Sequence, residues 1–154
     1  MKNKFIFFSL NFLLAVLGAV FFALSHPNYL NLNGLPIFAY IALIPFFLLL
    51  KRTKLKFSFL WGAFSGSLSY FIFNFWIIFF HPLAIYIIIA KYCIFYSVLF
   101  FVLKIIDSYF SRYSFIFQAI VWVAFEYLNT LGFLGYSYGI MGYTQWNFPI
   151  LIRV

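Results

Sequence analysis

Glu126 and Lys91 are the ionisable side chains that stand inside long apolar stretches of this 154-residue sequence. A charge surrounded by hydrocarbon is costly unless it is paired or wetted, so such a residue marks either a working group or a structural pin. Two readings of Glu126 stand: a carboxyl that meets a substrate, or a neutral or hydrogen-bonded carboxyl packed against a polar neighbour. Lys91 either extends its ammonium along its own helix towards water or reaches Glu126 as a buried pair. No spacing in the sequence decides between them. Cys93, the single cysteine, lies two residues after Lys91 and on a different helical face. A nucleophilic thiol needs an electropositive, partly exposed setting, and the apolar helical run around Cys93 reads instead as inert packing. His26 and His81 are lone histidines in polar breaks without a second ligand at helical spacing, so no metal site is expected. Both read as interfacial residues or as contacts to a lipid phosphate. The sequence has no glycine-rich phosphate loop, no Ser-His-Asp order, no CxxC pair and no His-Glu-x-x-His. No catalytic residue and no cofactor are therefore expected within the chain.

The elements that position these residues follow from composition. Hydrophobic residues make up 67% and charged residues 8%, against roughly a quarter charged in a soluble domain. That excludes a soluble globule, a disordered chain and a disulfide scaffold. Ten cations against two anions give a net charge of +8, which beside such apolar runs reads as topology signals and headgroup contacts rather than nucleic-acid binding.

The expected fold is all-α, a polytopic transmembrane helical bundle of about five spans plus the start of a sixth. The spans run from Phe5 to Leu24, Leu35 to Leu50, Phe57 to Phe80, Leu83 to Ile106 and Ser114 to Leu134. The first is too long for a signal-peptide core and is expected to remain as an anchor. Pro45 inside the second predicts a kink, because proline cannot donate to the preceding turn. Ser58, Gly62 and Gly66 in the third, with Ser65 and Ser69 beside them, form a small-residue face for close helix packing. Gly132, Gly135, Gly139 and Gly142 interrupt the pattern, so residues 135–147 read as a re-entrant or surface loop, and Phe148 to Val154 as the opening of a further apolar segment.

Cations alternate between the connections. Two precede the first span, four follow the second (Lys51, Arg52, Lys54, Lys56) and two flank the end of the fourth, while the intervening connections carry none. The positive-inside rule then puts the N-terminus in the cytoplasm and His26, His81 and the 135–147 loop on the outer side. In that loop Tyr136, Tyr138, Tyr143 and Trp146 fall between glycines, at the depth where aromatic rings sit among headgroups. Two roles fit: an element that meets an acyl chain or glycerol backbone, or an aromatic belt that anchors the helix end.

Several stretches, in consistent order, resemble the N-terminal membrane region of bacterial apolipoprotein N-acyltransferases. They are Phe22-Ala23-Leu24-Ser25-His26-Pro27, Ala39 to Pro45 with the basic cluster behind it, Trp61-Gly62 through Gly66 to Asn74-Phe75-Trp76, Trp122 to Leu128, and Gly135 through Gly142-Tyr143-Thr144-Gln145. The resemblance runs over essentially the whole chain, and Glu126-Tyr127-Leu128 with Gly142-Tyr143-Thr144-Gln145 are its most specific pieces. Two positions depart from the family pattern: Asn129, where arginine is usual, and Tyr138, where a tryptophan is usual in the loop.

The resemblance implies an inner-membrane enzyme that moves an acyl chain from a phospholipid to the N-terminal amine of a diacylglyceryl lipoprotein. In that family a nitrilase-like domain on the outer face carries a Glu-Lys-Cys triad, and the acyl group passes through a thioester. That domain is not in these 154 residues, so Cys93, Lys91 and Glu126 are not the triad. Trp76, Glu126, Tyr138, Tyr143 and Gln145 are the expected lipid or substrate contacts. The expected partners are phospholipid and lipoprotein, with a separate chain carrying the catalytic domain as a further partner. The terminal Ile150-Leu151-Ile152-Arg153-Val154 sets a charge where an apolar run should continue, which reads as truncation or a reading-frame change; the resemblance then implies a fragment or one piece of a split enzyme, inactive alone. The competing reading is a non-enzymatic integral membrane protein, a small transporter subunit or lipid-binding partner with Glu126 and Lys91 on a polar path; transporters usually show internal repeats, and none is evident.

Overall fold

The computed structural model describes residues 2–28, 31–110, 112–132 and 135–146. Its helices are α1 (Lys2–Ser25), α2 (Ile37–Ile41), α3 (Leu43–Arg52), α4 (Leu55–Phe73), α5 (Pro82–Tyr109) and α6 (Ser114–Leu128), with 3-10 turns at Phe75–Phe79 and Met141–Gln145. No strand occurs among the described residues, and the fold is all-helical as expected. Among the described residues two helices are long and apolar enough to cross a membrane, Ile6–Ser25 and Pro82–Tyr109. The expected start of a sixth span lies outside the described residues.

Local chemistry sets the helix boundaries and corrects three expected ones. The 35–50 segment is two helices divided at Ala42, the turn before Pro45, where the missing N–H and the ring's bulk disturb the helix ladder. The 57–80 segment ends its α-helix at Phe73; Asn74 caps it, and the chain tightens into the Phe75–Phe79 turn. The 114–134 segment stops being helical at Leu128. Beyond it the Asn129 carbonyl accepts from Tyr136 N at 2.8 Å, so the chain folds back instead of extending. α5 starts cleanly because Pro82 occupies its first turn and the His81 ring nitrogen accepts from Leu83 N at 3.2 Å.

Neighbouring contacts fix the direction of each helix. α1 and α4 run side by side in the same sense, Phe8 against Trp61 and Phe12 against Phe64. α3 runs back along α1, so that Arg52 meets Asn11 while Phe46 packs over Gly18. α5 is antiparallel to α4, and α6 to α5, with Gln118 donating to the Leu103 carbonyl at 3.2 Å and Trp122 edge-on to Tyr96. The core is aromatic: Phe22, Phe46, Tyr70, Tyr92, Tyr96 and Phe100 are all buried.

The small-residue face of α4 lies directly on α5. Gly62, Gly66, Ser58, Ser65 and Ser69 are buried. A Cβ on Gly62 would collide with the Tyr96 carbonyl oxygen, and one on Gly66 would stand 2.5 Å from that of Tyr92. Ser69 turns its hydroxyl back to the Ser65 carbonyl at 2.7 Å, so it adds little bulk and no free polar group to the seam. The reverse sides are greasy: Phe59, Leu60 and Phe71 on α4 and Leu83, Ile87, Ile94 and Val98 on α5 are exposed, more apolar surface than a water-soluble monomer usually shows.

Gly62→Ala and Gly66→Ala should each destabilise the fold by about 1–3 kcal/mol, the usual cost of overpacking a tight seam. Gly142→Ala is the control, since a Cβ there meets nothing within 4 Å. Thermal unfolding in detergent is the measurement, with lowered midpoints expected for the first two and an unchanged one for the third.

Candidate functional site

The 135–146 segment closes one end of the bundle, where α1, α4 and α6 finish and α2 and α5 begin. At the end of α1, Ser25 Oγ donates to the Phe22 carbonyl at 2.7 Å. Gly34 then turns the chain at a φ of 69° directly over the Ser25 and His26 backbone, where a side chain would strike Ser25 O. That turn returns Leu35 N to the Leu24 carbonyl at 2.9 Å and starts α2 beside α1.

Five hydrogen bonds, reaching four parts of the bundle, hold the loop on this end. The His26 ring nitrogen Nε2 faces the Ile140 carbonyl at 3.3 Å, and Nδ1 lies 2.9 Å from Phe22 O and 3.0 Å from Ser25 Oγ. The Tyr136 hydroxyl donates to Asn74 Oδ1 at 2.6 Å. Glu126 Oε1 accepts from Met141 N at 3.2 Å and from Trp122 Nε1 at 2.9 Å. Gln145 Nε2 donates to the Pro36 carbonyl at 3.3 Å, while its Oε1 accepts from the Tyr40 hydroxyl at 3.1 Å. Gly139, at a φ of 89°, bends the loop across the Tyr70 ring.

The loop leaves a hollow on each side of residues 140–143. A cavity of about 360 Å³ is lined by His26, Phe73, Trp76, Tyr138 and Tyr143, with Trp76 and Tyr138 ring centroids 6.1 Å apart. A second, of about 670 Å³, is lined by Phe47, Trp122, Glu126, Met141 and Tyr143. Of the residues singled out in the sequence, Trp76, Tyr138 and Tyr143 thus share one hollow, and Glu126 and Tyr143 share the other. Gln145 lines neither and acts as a tie between the loop and α2.

Glu126 and Lys91 are engaged separately. The Glu126 carboxylate takes the Trp122 and Met141 donors, and the Lys91 ammonium lies over the rings of Tyr92, Phe95 and Tyr136 at 4.8, 5.1 and 5.7 Å. The ion pair among the described residues is Lys104 with Asp107, at 2.8 Å. His26, expected as an interfacial loop residue, is instead 3% exposed and packed between Phe22 and Phe73. Sequence reading gave Tyr40 and Asn74 no role of their own and read Tyr136 as a headgroup-level ring, so it missed all three as anchors of the loop. The available signal was their place within the family-like stretches, since a lone Asn or Tyr carries no chemistry by type.

Burial is the largest influence on His26 and lowers its pKa from 6.5, while the Phe22 and Ile140 carbonyls act the other way. Burial likewise holds the Tyr136 phenol above its ordinary value, with Tyr92 and Tyr138 adding to the effect, so it stays protonated as a donor to Asn74. Neither hollow contains a thiol, and no group of three or more His, Cys, Asp or Glu side chains is placed to hold a metal among the described residues. The arrangement can grip an apolar or aromatic ligand and orient it with a few polar atoms.

The family model for the apolipoprotein N-acyltransferase N-terminal domain matches residues 18–154. The chain belongs to this family. It is 94% identical over 154 residues to apolipoprotein N-acyltransferase 1 of Treponema denticola, covering all of this chain and 28% of that protein. It is 41% identical over 143 residues to apolipoprotein N-acyltransferase 1 of Treponema pallidum, covering 93% of this chain and 26% of that protein. The chain therefore spans little more than a quarter of the length of these relatives. No solved structure matches it. Within this N-terminal domain, the Glu126 to Leu128 stretch that carried the resemblance meets the loop at Met141, the residue just before the Gly142 to Gln145 stretch.

The pH dependence of stability follows from His26. With its folded pKa below 6.5, the unfolded chain binds more protons between the two values, so this contribution is full above pH 6.5 and declines as pH falls through that window. Melting midpoints in detergent should drop on acidification below 6.5, and the drop should shrink in His26→Gln.

Proposed function

We propose that the chain is the membrane-embedded N-terminal portion of an apolipoprotein N-acyltransferase of the bacterial inner membrane. Its role is to hold the phospholipid acyl donor, and the lipoprotein that receives the acyl group, at the outer face beside a nitrilase-like catalytic domain outside these residues. The single observation that carries this reading is the aromatic hollow of Trp76, Tyr138 and Tyr143 at the loop end. A methylene chain or glycerol backbone fits such a lining, because aromatic rings offer apolar area at low entropic cost while the loop backbone supplies a few hydrogen-bonding atoms. Glu126 acts here by positioning the loop, through Met141 N, rather than as an acid.

The proposed topology has α1, the α2–α3 pair, α4, α5 and α6 crossing the bilayer in alternation, with the N-terminus cytoplasmic and the loop outside. The helix directions support it, since each successive crossing element runs opposite to the one before. A polar transport path through Lys91 and Glu126 has less support, because both side chains are committed to aromatic and loop partners.

Ser137→Cys, exposed on the loop, should react with an impermeant thiol reagent added from the outer side of intact cells; reaction from the cytoplasmic side alone would reverse the topology. Tyr138→Ala, made in the chain joined to a complete catalytic domain, should lower phospholipid-dependent acylation by up to about tenfold, since an aromatic contact is worth about 0.5–1.5 kcal/mol. Membrane insertion should be unchanged. Unchanged acylation with normal insertion would reduce Tyr138 to an anchor.

A further inference from the structure

We propose that the groove between the N-terminal halves of α1 and α4 binds one anionic phospholipid, with an acyl chain on its floor and the phosphate at Arg52 and Lys56. The inference rests on the membrane reading above, but concerns the opposite end of the bundle from the loop. The floor is formed by Phe8, Phe12, Leu60, Trp61 and Phe64 and encloses about 580 Å³, within the range of small-molecule sites.

Two cations are fastened to the walls of this groove. Arg52, at the end of α3, donates from Nε to Asn11 Oδ1 at 3.2 Å and holds its guanidinium over the Phe7 ring at 5.2 Å. Lys56, in the first turn of α4, sets its ammonium over the Phe57 ring at 5.1 Å. Phe7, Asn11 and Phe57 all line the groove. The charges are thus tied to the rim by the same side chains that shape the cavity, and are not merely near it in sequence. Lys51 and Lys54 are exposed beside them.

No acid offsets this charge. The two acidic residues of the chain are Asp107, paired with Lys104, and Glu126, bonded to Trp122 and Met141. An apolar trough with cations at its mouth complements an amphiphile with an anionic head. A headgroup of net negative charge gains from both cations, whereas a zwitterionic one brings its own ammonium into the same field. Contacts of this kind favour the anionic lipid by about fivefold per cation engaged.

Native mass spectrometry of the unaltered chain, released from micelles doped with equal amounts of phosphatidylglycerol and phosphatidylcholine, reads the preference directly. Retention of one phosphatidylglycerol in preference to phosphatidylcholine is expected, with the preference lost in Arg52→Gln/Lys56→Gln. It should persist in Lys104→Gln/Arg112→Gln, which removes the same charge elsewhere. Equal loss in both double variants would overturn the site in favour of a general charge effect. Location is read from Trp61 fluorescence in a chain whose other tryptophans are phenylalanine, checked for helicity by circular dichroism. Brominated phosphatidylglycerol should quench it more than brominated phosphatidylcholine. Equal quenching by both lipids would leave only bulk lipid and overturn the proposal. Quenching by neither would overturn the membrane reading as well, unless light scattering shows a dimer, in which case a second copy occupies the groove and the lipid site alone is overturned.

Discussion

The close approach of α4 and α5 is the constraint on which the rest of the structure depends. At Gly62 and Gly66 the α5 backbone occupies the space a β-carbon would need. In a lipid setting there is no hydrophobic drive to bring two apolar helices together, so packing and backbone proximity carry the association. Once the two helices are that close, the rings above the glycines have few arrangements open to them. Tyr70 stacks on Tyr92, and both meet Tyr96 edge-on. The tyrosine cluster is the platform on which the loop end is built, for Gly139 rests on Tyr70 and Tyr136 packs against Tyr92.

Hydrogen bonds add to that packing. With Tyr136 and Met141 set against the core, the loop is held at His26, Asn74 and Glu126 by one hydrogen bond each and at the start of α2 by two, to the Pro36 carbonyl and from the Tyr40 hydroxyl. Such bonds are stronger where water is scarce, and leaving any one partner unmatched is costly there. Attachments to four parts of the bundle make the loop conformation a property of the whole. The hollows on either side of it exist only when α1, α4 and α6 end at the same level. This links the seam between α4 and α5 to the shape of the proposed lipid contact.

In the proposed reading the chain holds lipid and the chemistry lies outside these residues. It belongs to the N-acyltransferase N-terminal domain family and spans little more than a quarter of its relatives. Its ionisable groups inside the bundle serve structure: Glu126 fixes a loop amide and Lys91 lies on aromatic faces. The Cys93 thiol sits partly buried on α5, outside both hollows.

The sequence by itself determined the all-helical class, the small-residue seam and the family. Each is written in local composition or order: long apolar runs, glycines and serines at four-residue spacing, and the Glu126 and Gly142 stretches. It also placed a break near Pro45, because a missing donor is a property of one residue. It overran the helix at Phe73 and again at Leu128, since apolarity continues past both points and only the turns to Asn74 and Tyr136 end them. The partners of Glu126, the separate seating of Lys91 and the burial of His26 belonged to the tertiary structure alone. Each depends on which residue, from 15 to more than a hundred positions away, arrives at the same end of the bundle: Ile140 for His26, Met141 for Glu126, Tyr136 for Lys91 and Asn74. Hydropathy reports how greasy a position is, whereas a hydrogen bond requires two atoms within about 3 Å, and only the packing of the helices brings them there.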